Sequence, residues 1–217
     1  METKYNYEKR TKIVVYLTAI MMVVEITFGI STKSMALLAD GIHMASHVGA
    51  LGLSWAAYWL IRKHSNNPKF TSGTGKILSL SGFTSGLILQ IFAILIVIES
   101  IDRLINPVKI SFREAIVVAV FGLIVNIVCA MVLHHDKKHS DHNIRAAYLH
   151  VLADAITSLT AIIAIAGAMY YKINSLDIIG GLVSAIIITK WSWGLLKVTS
   201  LELLDYTNDK KIVNHVR

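Results

Sequence analysis

The stretch ILSLSGFTSGLILQIFAILIVIESI, residues 77–101, decides the fold class of this chain. Its only charged residue is Glu99, which lies near the end of the stretch. A helix of about 20 mostly apolar residues crosses the hydrocarbon core of a bilayer. Within lipid, a helix also satisfies its own backbone hydrogen bonds. We therefore predict that residues 77–101 form a transmembrane helix.

Further apolar segments of similar length flank this stretch on both sides. They are residues 13–30, 35–61, 115–133, 146–171 and 178–203. Of the 217 residues, 54% are hydrophobic and 16% are charged, so no stretch is left for a separate soluble domain of ordinary size. We predict an all-α membrane protein with six transmembrane helices. Its expected parts are an N-terminal cytoplasmic segment (1–12), the membrane domain (13–204) and a short cytoplasmic tail (205–217).

The distribution of basic residues predicts the orientation of the helices. Lys and Arg are concentrated at four places along the chain. They are Lys4, Lys9, Arg10 and Lys12 at the N-terminus, Arg62, Lys63, Lys69 and Lys76 in the second loop, Lys137, Lys138 and Arg145 in the fourth loop, and Lys210, Lys211 and Arg217 in the tail. By the positive-inside rule, both termini are cytoplasmic. The net charge of +7 thus reflects membrane topology, and we expect no nucleic-acid partner.

Two pairs of ionisable residues lie inside the apolar segments. His43 and His47 occur in HMASH, and His150 and Asp154 occur in HVLAD. Residues four apart share one face of a helix, and ionisable groups within a membrane usually face an ion or substrate path. A lone His could instead hydrogen-bond a neighbouring helix. Because burying four such groups separately is costly, we predict that all four bind one divalent metal ion, for which three imidazoles and a carboxylate form a tetrahedral set.

Other polar residues allow two interpretations each. Asp40, three residues before His43, either orients a ligand imidazole or is an aspartate near the start of its helix without such a role. Glu25, in the outward half of the first helix, either draws cations towards the site or hydrogen-bonds another helix. The tract HHDKKHSDH, residues 134–142, either captures metal at the cytoplasmic entrance or is a solvated linker. Its candidate ligands are His134, His135, His139 and His142.

These residues together resemble the cation diffusion facilitator family. The resemblance rests on EITFGISTKSMALLADGIH, residues 25–43, on Phe70, Gly73 and Lys76 in the next loop, and on HVLAD, which matches the second metal-binding pair of that family. It covers nearly the whole chain. The resemblance implies a homodimeric exporter that moves divalent metal out of the cytoplasm in exchange for protons. The metal is then cargo, and no fixed cofactor is expected.

The chain departs from the common pattern of that family in two ways. His47 stands where the zinc-type members have Asp, and HMASH, NIRAAYLHVLAD and WSWGLL resemble the bacterial cobalt- and nickel-associated branch. An imidazole-rich site suits Zn²⁺, Cd²⁺, Co²⁺ and Ni²⁺ better than Mn²⁺. Most members also continue into a cytoplasmic domain, of which residues 204–217 resemble only the beginning. We therefore expect that domain to be absent or truncated.

The expected function is proton-coupled export of a divalent transition metal across the bacterial inner membrane. Protons and metal compete for imidazole and carboxylate, and rocking helices alternate the access to the site. A membrane metal sensor or accessory subunit that binds metal without moving it is the alternative. We do not expect an enzyme. An intramembrane metallohydrolase needs an open coordination position, which four side-chain ligands do not leave.

Overall fold

The computed structural model describes the backbone of residues 2–64, 76–134 and 142–206, and the side chains of 13–50, 52–64, 76–132, 151–152 and 154–206. Within these residues the chain forms helices and no strands. The helices are α1 (Glu2–Thr32), α2 (Met35–His64), α3 (Lys76–Ile105), α4 (Phe112–His134), α5 (His142–Tyr171) and α6 (Ser175–Leu203). The predicted all-α class is confirmed, although α1 already begins within the predicted N-terminal segment.

Long apolar stretches of these helices are suited to lipid. Five of them are long and apolar enough to cross a membrane, namely Ile13–Thr32, Lys76–Ile105, Phe112–Val132, Asp154–Tyr171 and Ser175–Leu203. The sixth predicted span is α2, which is not among these five and which carries Asp40, His43 and His47. Large apolar side chains such as Ile98 and Ile163 point outwards, as expected where lipid is the solvent. The chain is a multi-pass membrane protein.

The chain divides into two compact units. The first unit comprises Met1–Val48 and Ile94–Ile186, and the second comprises Gly49–Ala93 and Ile187–Arg217. The first unit therefore contains the whole of α1, α4 and α5. It also contains the first parts of α2 and α6 and the last part of α3. All the predicted membrane ligands, as well as Glu25 and Asp40, belong to this first unit.

Glycines bring α1 and α2 together within the first unit. A Cβ atom at Gly29 would lie 2.7 Å from the backbone of Leu38, and one at Gly41 would lie 2.8 Å from the nitrogen of Ile26. Only a residue without a side chain allows this approach, which is typical of helix pairs in membranes. The close contact places the α1 residue Glu25 beside the part of α2 that carries the predicted ligands.

The start of α2 is fixed by a carboxylate from another helix. Lys33 turns the chain with a φ of 60°, after which the hydroxyl oxygen of Ser34 accepts a hydrogen bond from the N–H of Leu37 (3.2 Å). The Asp177 carboxylate on α6 accepts hydrogen bonds from the Ser34 hydroxyl (2.6 Å) and from the Met35 N–H (2.7 Å). These bonds satisfy donors that a helix start leaves unpaired, so α6 holds the N-terminus of α2 in place.

In the second unit, polar contacts join α3 to α6. Ser192 donates a hydrogen bond to the Gln90 side chain (2.5 Å), and Ser79 donates one to Glu202 (2.9 Å). The Lys76 ammonium lies 2.6 Å from the Asp205 carboxylate just beyond the end of α6. These contacts hold the two helices of this unit together.

Candidate metal site

Three of the four predicted ligands meet in the first unit. His43 and His47 project from α2, and Asp154 projects from α5. Asp154 Oδ1 lies 3.3 Å from Nε2 of His43 and 3.6 Å from Nε2 of His47. The two imidazole Nε2 atoms are 3.3 Å apart, with the rings nearly perpendicular at 88°. Two helices thus bring three donor atoms to one point.

The spacing of these donor atoms matches the geometry of a tetrahedral metal ion. For metal–ligand bonds of about 2.0–2.2 Å, the edges of a tetrahedron are about 3.3–3.6 Å long. The three measured separations, 3.3, 3.3 and 3.6 Å, fall in that interval. Little rearrangement is therefore needed for an ion to contact all three atoms.

The three side chains differ in their access to solvent. Those of His43 and Asp154 are each 3% exposed, whereas that of His47 is 20% exposed. A buried carboxylate between two imidazoles is costly unless a cation or a proton compensates it. The site therefore has one accessible ligand and two that an ion reaches only after it has lost its water.

The position of His150 agrees with a fourth ligand, although its side chain lies outside the described residues. His150 lies in α5, four residues before Asp154, and α5 continues without a break from His142 to Tyr171. Residues at this spacing share one helix face. Metal binding by His150 stays a prediction.

Asp40 lies on α2, near the site. Its helix starts at Met35, and Asp40 is 1% exposed in the second turn. The hydroxyls of Thr157 and Ser158 are near its carboxylate, yet neither oxygen has a hydrogen-bond partner among the described residues. A role of Asp40 towards the ligands stays a prediction.

Glu25 is fully buried between helices of the first unit. Its exposure is 0%, and neither carboxylate oxygen has a hydrogen-bond partner among the described residues. The sequence allowed an interhelical hydrogen bond for this residue, and the described part of the chain offers none. The carboxyl instead lies against Gly122 of α4, where a Cβ would overlap it.

The structure also identifies Thr157 and Ser158 near the site, two residues that the sequence did not single out. Asn126 on α4 donates a hydrogen bond to the Ser158 hydroxyl on α5 (3.1 Å), and Thr157 donates one to the carbonyl oxygen of Asp154 (2.9 Å). Thr157 and Ser158 follow Asp154 by three and four residues, a spacing that places them near its helix face. That spacing was the available signal.

The histidine tract is described only at its ends, and only in its backbone. His134 is the last residue of α4, and His142 is the first residue of α5. His135 and His139 lie outside the described residues, as do the side chains of His134 and His142. Metal capture by this tract stays a prediction.

Comparisons with known proteins agree with this arrangement. The family model described as the cation efflux transmembrane domain matches residues 11–204. The chain is 32% identical over 205 residues to the zinc transporter ZitB of Pectobacterium atrosepticum, which covers 94% of this chain and 64% of the relative. It is 34% identical to ZitB of Escherichia coli K12 over 188 residues, and this aligned region covers 87% of this chain and 60% of the relative.

A third relative carries a broader name. It is the cadmium, cobalt and zinc/H(+)-K(+) antiporter of Bacillus subtilis, 28% identical over 196 residues, which cover 90% of this chain and 63% of the relative. This chain thus spans slightly under two thirds of the length of these three relatives. Their names include zinc, cadmium and cobalt but not nickel, and the cobalt- and nickel-associated branch stays a prediction.

Proposed function

Since this chain belongs to the cation efflux family, the cation diffusion facilitators, we propose that it exports divalent transition-metal cations from the cytoplasm. The observation that carries the proposal is the tetrahedral spacing of His43, His47 and Asp154, at 3.3–3.6 Å, inside a membrane protein. His150 is the proposed fourth ligand. The ion is cargo, which enters from one side and leaves on the other.

The donor set selects the class of metal. Imidazole nitrogen suits Zn²⁺, Cd²⁺, Co²⁺ and Ni²⁺, whereas Mg²⁺, Ca²⁺ and Mn²⁺ favour oxygen. The zinc transporters and the cadmium, cobalt and zinc antiporter among the relatives support the same class. We place Zn²⁺ first because most of the similar proteins carry zinc in their names.

Acid–base chemistry supports exchange of the metal for protons. A metal ion binds neutral imidazole and ionised carboxylate, so protonation of either ligand expels it. A site open to the cytoplasm loads metal, and the same site opened to a more acidic exterior exchanges it for protons. The name of the Bacillus subtilis relative includes a proton antiporter. We propose that metal export is coupled to proton uptake in this way. We also propose that the protein is a homodimer in the bacterial inner membrane, with cytoplasmic termini and no enzymatic role.

Transport by purified protein in sealed vesicles tests the proposal. Vesicles that contain the protein and a pH-sensitive dye are exposed to Zn²⁺, Cd²⁺, Co²⁺, Ni²⁺ or Mn²⁺ in turn. We expect Zn²⁺ flux with opposite proton flux, little Mn²⁺ flux, and loss of both fluxes in Asp154→Asn. Glu99→Gln is the control, since Glu99 is half-exposed and pairs with Arg103 at 2.8 Å. Metal binding without flux would instead support the sensor alternative.

A further inference from the structure

Among the described residues, none donates a hydrogen bond to the Glu25 carboxyl. One oxygen lies over the Cα of Gly122, whose backbone belongs to α4, and the methyl end of Met21 is close to the same point. Glu25 has neither a hydrogen bond nor an ion pair among the described residues. Burying a carboxylate without such partners costs several kcal/mol relative to water, and a bound proton or a nearby cation removes that cost.

Among the described residues, the charged groups that act on Glu25 are carboxylates as well. Asp40 on α2 and Asp154 on α5 act on it through their charges, and Gly122 of α4 lies against it. Asp40 has the hydroxyls of Thr157 and Ser158 and the imidazole of His43 in its vicinity, and Asp154 lies between two imidazoles. Of the three carboxyl groups, Glu25 therefore has the fewest groups that compensate a charge.

A dication at the predicted site changes this balance. The ligand set of three imidazoles and Asp154 supplies one negative charge, so bound Zn²⁺ leaves a net charge of about +1 in a medium of low dielectric constant. A second carboxylate nearby neutralises that excess. Among the described residues, Glu25 and Asp40 are buried carboxyl groups that interact with this region, and Glu25 has the fewer groups that compensate a charge.

We propose that the Glu25 carboxyl holds a proton while the metal site is empty and releases it when a dication binds. Glu25 is then a proton-carrying group of the exchange, separate from the side chains that contact the metal. The O–H bond of the carboxyl breaks, the electron pair stays on the carboxylate, and the proton passes to the aqueous side to which the site is open. The inference rests on the proposed function and adds to it the residue that carries one of the protons.

Counting the protons released on metal binding tests this inference. Calorimetric titration of the purified protein with Zn²⁺, in buffers of different ionisation enthalpy, gives the number of protons released per ion bound. We expect Glu25→Gln to release about one proton fewer than the wild type and to bind Zn²⁺ more weakly, because the neutral amide can neither lose a proton nor become an anion. Gln has the size of the protonated acid, so the fold is expected to persist. Glu99→Gln, the matched control, should release as many protons as the wild type.

Two outcomes separate this inference from the proposed function. If Glu25→Gln binds Zn²⁺ and releases as many protons as the wild type, the role of Glu25 is overturned and export through His43, His47 and Asp154 is unaffected. If the wild type moves no metal in vesicles, the proposed function itself fails.

A second measurement needs only the wild-type protein. Infrared difference spectra on Zn²⁺ addition should show loss of the C=O stretching band of a protonated carboxylic acid and gain of carboxylate bands. A spectrum without that loss would overturn the proposal even if Glu25→Gln failed to fold.

Discussion

At the scale of single residues, His47 distinguishes this site from a carboxylate-rich one. It is the most exposed of the three described ligands, and its Nε2 atom lies 3.6 Å from Asp154 and 3.3 Å from His43. The position is therefore accessible enough to accept a different donor without repacking a closed core. The donor atom at this position sets how strongly the site favours metals that prefer nitrogen ligands.

Replacement of His47 by Asp should change the metal ranking. A carboxylate oxygen is a harder donor than imidazole, so His47→Asp should weaken Co²⁺ and Ni²⁺ relative to Zn²⁺ by about tenfold or more, since even changes around a ligand alter metal affinity by about 10–100-fold. Competition between the metals for uptake into vesicles measures the ranking. Ser46→Ala is the neighbouring control because Ser46 bonds only the carbonyl of His43 among the described residues. An unchanged ranking in His47→Asp would place selectivity outside the ligands.

The same residues show what sequence reasoning can and cannot reach. The i,i+4 spacing predicted that His43 and His47 share one helix face, and the cost of burying ionisable groups separately predicted that Asp154 meets them. The surroundings of Glu25 were not predictable in this way. They depend on which helix carries a glycine at the contact, and Gly122 lies 97 positions further along the chain.

At the scale of the helices, the geometry of the site depends on how closely α1 approaches α2. Gly41 lies between Asp40 and the ligand His43 in the sequence, and the backbone of α1 covers it. The sequence showed these glycines but not their partners, since a glycine inside a helix is also compatible with an open face. Around Gly52, on the same helix, no heavy atom of the described residues beyond the local helix backbone lies within 4 Å of the place where a Cβ would be.

These two glycines form a matched pair for a stability test. Gly41→Ala should destabilise the protein by about 1–3 kcal/mol, because the methyl group would lie 2.8 Å from the Ile26 nitrogen and the helices must separate. Gly52→Ala should be neutral or stabilising by up to about 1 kcal/mol, since alanine favours a helix. Thermal unfolding in detergent measures both. Equal behaviour of the two variants would show that α1 and α2 are not in close contact.

The attachment of α2 to α6 gives a second test at this scale. Asp177→Asn keeps the shape of the side chain but removes its negative charge. The Ser34 hydroxyl and the Met35 N–H donate their hydrogen bonds to that charged carboxylate. A loss of about 1–2 kcal/mol in unfolding free energy is expected from the weakened helix cap. Asp102→Asn is the control, since exposed Asp102 bonds only Asn106 on the same segment among the described residues. Were Asp177→Asn as stable as the control, α6 would not hold the start of α2.

At the scale of the whole molecule, apolar segment length was enough to predict the six helices, because lipid leaves a spanning chain few alternatives. The polar residues between the apolar segments were less informative about where each helix begins and ends. The actual helices begin earlier or end later than the apolar residues do, as with α1 at Glu2 and α3 at Ile105. A helix continues past the hydrocarbon core because backbone hydrogen bonding does not stop at the lipid boundary, so hydropathy alone cannot locate its ends.

The division of work between the membrane site and the histidine tract is a property of the whole chain. If His134, His135, His139 and His142 only concentrate metal at the entrance, replacing all four with Ser should raise the apparent KM while leaving the maximal rate nearly intact. A loop in water cannot stabilise a dication within the bilayer, whereas the buried ligands must do so. Asp154→Asn should instead abolish flux even at saturating metal, because the dication then lacks its one anionic ligand. Zn²⁺ flux in vesicles over a range of concentrations separates the two effects, and a tract variant as inactive as Asp154→Asn would show that the tract carries an obligatory step.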